Sequence, residues 1–119
     1  MITLAAVRRA LRDHRPQVAE APDARPAAVA LVLVEGPQGL ELILIKRAER
    51  GDDPWSGQIA LPGGRYEVGD RDLEATAVRE TSEETGVDLS RAERLGALDD
   101  LYPARHCCRP WWYGPSFSP

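Results

Sequence analysis

Residues 77–87 read AVRETSEETGV, and they end a helix in the way a helix tolerates least. Gly86 is the expected C-cap and Val87 the first residue beyond it. Glu80, Glu83 and Glu84 therefore crowd the terminus at which the helix dipole is negative. Like charges at i,i+3 and i,i+4 also repel, each pair by roughly a few tenths of a kcal/mol. At the helical repeat the three carboxylates fall within about a 100° arc of one face. The basic residue inside the helix is Arg79, immediately before the first acid.

Three acids on one face are, taken alone, the ordinary look of a solvated surface. Set against the dipole they point instead to a site, because broken local rules concentrate at functional positions. Converging carboxylates make a hard oxygen site, and Mg²⁺ or Mn²⁺ would cancel their repulsion with water completing the shell.

The rest of the chain supplies elements for one α/β domain. TLAAVRRALRDH (3–14) places Leu4, Val7 and Leu11 on one face of a short helix. RPQVAEAPDARP (15–26) reads as a linker or extended arm. AAVALVLVEG (27–36) and LELILIKR (40–47) read as two strands of a hairpin turning at 36–39. The second is apolar on both faces, which predicts a strand inside a sheet covered on both sides. Residues 48–70 read mostly as loop, with one short strand at Gln58–Leu61. The acidic helix follows over about 71–85, and another strand near Leu95–Leu98.

LPGGRYEVGD lies just before that helix, where Gly63 and Gly64 allow close backbone approach. A glycine turn, an acid and a helix ending R-E-x-x-E-E-x-G resemble the Nudix box, the signature of the Nudix hydrolase family, G-x5-E-x7-R-E-U-x-E-E-x-G-U with U aliphatic. Gly64, Arg79, Glu80, Glu83, Glu84, Gly86 and Val87 match it. Asp70 stands where a glutamate is expected, separated from Arg79 by eight residues rather than seven, and Thr81 replaces an aliphatic residue. GGRYEVGD, TAVRE and SGQIALPGG look like the coenzyme A pyrophosphatase-like branch; that branch's upstream R-S-x-x-L-R-x-H is replaced here by KRAERGDDPW. The resemblance covers about residues 27–103.

The resemblance implies an α/β/α sandwich around a mixed sheet and a divalent-metal-dependent cleavage of the pyrophosphate in a nucleoside diphosphate linked to another group. It assigns Glu80, Glu83 and Glu84 as metal-binding carboxylates, one of which doubles as base, with the Gly63 carbonyl joining the metal shell. Arg79 would hold the glutamates in place, and Asp70 would organise the loop or pair with Arg79. Gly64 and Gly86 support the loop and the helix end. Trp55, Arg47, Arg50, His14 and His106 are weaker candidates with ordinary structural roles open to each. No substrate-binding residue is assigned.

Composition sets limits around this reading. A net charge of −4 argues against a general nucleic-acid partner. There is no long apolar run for a membrane span and no signal-peptide order at the N-terminus, so the expected compartment is the cytoplasm. Cys107 and Cys108 are adjacent and read as unpaired thiols. The expected partner is a small-molecule nucleotide-diphosphate substrate; oligomeric state is left open.

The expected division is an N-terminal helix and Pro-rich arm (1–26), an incomplete Nudix domain (27–103) and an atypical tail (104–119). ARHCCRPWWYGPSFSP reads as neither strand nor helix. Back-translated with GC-rich codons and read from the third base of the Ala104 codon, it permits a valine-rich strand. The expectation is thus a reading frame shifted near 103–105 in a longer Nudix protein, and a real but irregular end is the alternative. Two functions follow: a coenzyme A-type pyrophosphohydrolase, or a non-catalytic Nudix-like product that is truncated or binds a nucleotide without cleaving it. A plain acidic interaction helix explains neither LPGG nor the Arg79–Glu80 pair.

Overall fold

The computed structural model describes residues 1–18, 25–46, 51, 57–101 and 106–114. Trp55, Arg47, Arg50 and the expected frame change at 103–105 lie outside the described residues. The elements run α1 (Leu4–Arg12), β1 (Arg25–Gly36), β2 (Gly39–Leu42), β3 (Ile45–Lys46), β4 (Ile59–Ala60), β5 (Gly63–Arg65), α2 (Leu73–Thr85), a 3-10 turn (Leu89–Arg91), β6 (Glu93–Ala97) and β7 (His106–Gly114).

The two helices start and stop where local chemistry directs. Thr3 caps α1 by accepting from the Ala6 amide, and Arg9 and Arg12 occupy its last turn, where the dipole favours cations. Asp72 caps α2 by accepting from the Ala75 amide at 2.8 Å. Gly86 ends α2 in the left-handed region, φ 77°, with its N–H on the Ser82 carbonyl.

One mixed sheet holds the domain together. Its order is β2-β1-β7-β6, with β5 also paired to β1. β1 runs parallel to β7 over residues 25–32 and antiparallel to β2 and β5. β5 takes Ala27–Val29 and β2 takes Leu33–Gly36, so these two strands share the edge of β1 that faces away from β7.

Ala28, Ala30 and Val32 alternate onto one face of β1 and form the core with Ala77, Leu89 and Tyr113. The small alanines let α2 approach β1 closely. Gly114, next to Tyr113 and so facing the other side, abuts Leu4 and Leu95. Helices α1 and α2 therefore lie on opposite faces of the sheet. Arg8 clamps α1 to β6 by a fork onto Glu93 at 2.8–3.0 Å.

Three expectations from the sequence are corrected. First, LELILIKR is not one covered strand. It forms edge strand β2, breaks, and continues as β3 paired with β4; Leu42 and Leu44 are 39% and 51% exposed. The break follows from the shared edge, because β5 occupies the part of β1 that a longer β2 would have reached. Second, the loop ahead of α2 contains strand β5. Third, residues 106–114 are a strand in the middle of the sheet. Pro110 is accommodated in it because β6 pairing ends at Ala97 opposite Trp111. The proline's missing N–H thus falls just past the ladder, and its carbonyl accepts from the Leu98 amide at 3.0 Å.

Candidate active site

Strand β5 and helix α2 bring the glycines and the acids together. Gly63 donates its N–H to Glu84 Oε1 at 2.9 Å. A Cβ on Gly64 would lie 2.6 Å from the Glu80 carboxyl carbon, so the bare glycine makes room for that carboxylate. A Cβ on Gly63 would instead strike the Ala28 carbonyl and Val29 of β1. The two adjacent glycines serve different ends: Gly63 lets β5 reach β1, and Gly64 seats Glu80.

Arg79 organises the acids. Its Nε and Nη2 donate to Asp70 Oδ1 and Oδ2 at 2.9 and 3.0 Å. Nη2 also reaches the Arg65 carbonyl at 3.1 Å. Nη1 donates to Glu80 Oε1 at 2.8 Å and to Glu83 Oε1 at 3.4 Å. All the donors of the guanidinium are thereby used. Glu67 lies at 3.7 Å as a further ion pair.

Asp70 is buried and carries an extended set of donors. Besides Arg79 it accepts from the Glu67 amide at 3.0 Å and from Thr76 Oγ1 at 2.8 Å. The Arg79 hydrogen bonds hold its carboxyl far below the usual carboxylate range, against the opposing effect of burial, with the Glu67 amide and Thr76 hydroxyl adding to the pull. The same pair pushes Arg79 further up from its already high value.

The metal-binding role assigned to Glu80, Glu83 and Glu84 meets a mixed geometry. In donor chemistry the three carboxylates beside the β5 backbone fit a hard divalent cation. Glu80 is held by Arg79, Glu84 by the Gly63 amide, and Glu83 is mostly exposed. Among the described residues, no three His, Cys, Asp or Glu side chains already stand close enough to enclose an ion.

Some participants were not read from the sequence. Thr76 is fully buried beneath Asp70, and only its place in TAVRE hinted at it. Tyr113 donates to Glu74 Oε2 at 2.5 Å, and that oxygen also accepts from Arg94 at 2.8 Å. Arg94 lies 5.0 Å over the Trp111 ring. Burial, reinforced by Glu74, pushes the Tyr113 hydroxyl pKa up. Glu74, Arg94 and Tyr113 line a cavity of about 470 Å³ with Arg71, Val78, Arg79 and Leu89. His14 pairs with Asp99 at 3.0 Å, away from the acids.

A model of the NUDIX domain matches residues 24–113, running through β7. Nudix hydrolase 15, mitochondrial, of Arabidopsis thaliana is 39% identical over 84 residues, covering 70% of this chain and 29% of its own. The mitochondrial coenzyme A diphosphatase NUDT8 of Mus musculus is 37% identical over 82 residues, covering 66% and 38%. The chain spans about a third of the length of the curated relatives it matches. The crystal structure of a Nudix hydrolase from M. smegmatis, RenU, superimposes with a TM-score of 0.61 at 19% identity, covering 77% of this chain and 61% of that one, a likeness of fold.

Proposed function

We propose a function from one premise: the chain belongs to the Nudix family. The function is divalent-metal-dependent hydrolysis of the diphosphate in a nucleoside diphosphate linked to another group, with coenzyme A or a related nucleotide conjugate as the favoured substrate. The observation that carries it is the seat of Glu80 and Glu84 against the Gly63–Gly64 backbone, with Arg79 fastened between Asp70 and Glu80. Similarity to a coenzyme A diphosphatase supports the substrate class.

In this reading Glu80, Glu83 and Glu84 hold Mg²⁺ or Mn²⁺, which when bound polarises phosphate oxygens and acidifies a water. One of these carboxylates takes the proton of the attacking water. Arg79 keeps Glu80 aimed toward the Gly64 turn and does not touch the substrate. Asp70 fixes Arg79.

Incubation with coenzyme A and Mn²⁺, followed by separation of products, tests this. The expected result is two phosphomonoester fragments from one anhydride, with turnover reduced about a hundredfold or more in Glu84→Gln. A cooperatively folded chain that cleaves neither coenzyme A nor other nucleoside diphosphate conjugates with any divalent metal would favour the non-catalytic reading.

A further inference from the structure

We propose that Thr76 is a positioning residue for Glu80, acting through Asp70 and Arg79; this rests on the reading of Glu80 as a metal-binding carboxylate. The hydroxyl of Thr76 is fully buried and lies 2.8 Å from Asp70 Oδ2. Asp70 grips Arg79 at 2.9 and 3.0 Å, and the opposite end of that guanidinium holds Glu80 Oε1 at 2.8 Å. A hydrogen-bonded chain thus runs Thr76–Asp70–Arg79–Glu80.

The need for the hydroxyl comes from the acid that it serves. Asp70 has a side chain one methylene shorter than a glutamate and is separated from Arg79 by eight residues. Its Oδ2 is shared by Arg79, the Glu67 amide and Thr76. The Arg79 fork must lie in the plane of the carboxylate. Without the Thr76 donor that plane keeps one hold fewer, and any turn of it is carried along the rigid guanidinium to Nη1 and so to Glu80.

The same hydroxyl also lies 3.3 Å from the Asp72 carbonyl, the back-bonding contact common in helices. The charged, shorter contact to Asp70 is the stronger of the two. Thr81 is a fully buried threonine of the same helix, and its hydroxyl has no partner among the described residues, so burial on α2 does not by itself supply one.

The test uses the full chain as wild type, Thr76→Val, Thr76→Ser, Thr76→Ala and Glu84→Gln. Mn²⁺ binding is followed by the EPR signal of the free ion, and folding by thermal melts without metal. The expected result is Mn²⁺ binding about tenfold weaker in Thr76→Val and Thr76→Ala, with Thr76→Ser close to wild type. Wild-type affinity in Thr76→Val, or Thr76→Ser as weak as Thr76→Ala, would overturn the proposal and leave the carboxylate reading standing. If Thr76→Val does not melt cooperatively, the Ser and Ala variants decide, because they differ only in the hydroxyl. A wild-type chain that binds no Mn²⁺, or a Glu84→Gln chain that binds it equally well, would overturn the carboxylate reading and this inference with it.

Discussion

Arg79 and Asp70 meet as a two-pronged ion pair, Nε to Oδ1 at 2.9 Å and Nη2 to Oδ2 at 3.0 Å, with the aspartate side chain only 6% exposed. Breaking such a pair from one side leaves a buried charge uncompensated. Arg79→Ala is expected to lose about 3–5 kcal/mol of stability, read as a lower urea midpoint. Arg79→Lys keeps the charge but not the fork and should fall between. Equal stability in all three proteins would show that water already reaches Asp70.

The same pair predicts an acid-sensitive fold. The Asp70 pKa lies below its unfolded value, so the unfolded chain binds the proton more readily. The stabilisation is complete above about pH 5 and is lost as pH falls through and below about 4. Melting temperatures of wild type and Asp70→Asn, measured from pH 7 to pH 3, should therefore converge toward acid. Curves that stay parallel would remove Asp70 as the source of the sensitivity.

Gly63→Ala and Gly64→Ala should differ although the residues are neighbours. The first drives a Cβ into the Ala28 carbonyl and Val29 backbone, and a loss of about 3 kcal/mol is expected. The second meets the far end of the Glu80 side chain, which can swing away. Gly64→Ala should fold nearly as well as wild type but lose much of any melting shift produced by Mn²⁺. Circular-dichroism melts with and without the ion compare them directly.

Thr81→Val should stabilise the domain. Among the described residues the buried Thr81 hydroxyl has no hydrogen-bond partner, and valine replaces it with a methyl of similar size. A gain of about 1 kcal/mol is expected from chemical denaturation. No gain would point to a water on that oxygen.

Gly86→Ala should cost about 1 kcal/mol, because φ 77° is strained for a residue with a Cβ. Open space surrounds the glycine, so the loss reports backbone conformation alone. Gly86→Asn should recover part of it in the same melt.

The end of α2 at Gly86 and the turn between β1 and β2 were legible in the chain because they rest on local rules, whereas the meeting of Arg79 with Asp70 was one of two roles that the family resemblance implied for Asp70. Asp72 and Gly86 act on amides and carbonyls within one helical turn, and the glycines mark where the backbone must bend or approach closely. The three glutamates share a face by helical repeat alone. The centre of the sheet was not legible. Val29 pairs with Pro110, far away in sequence, and such pairing leaves no periodic trace in either segment. A proline in CCRPWWYG reads as a strand breaker until the neighbouring strand is seen to end one residue short of it. Tertiary structure likewise divided one edge of β1 between β2 and β5, and so placed the Gly63–Gly64 backbone against Glu84 and Glu80. Local chemistry along the chain sets which residues turn, cap and carry charge. Only the packed fold decided which distant groups they face, because a hydrogen bond across a sheet or beneath a helix depends on what else has already taken the edge.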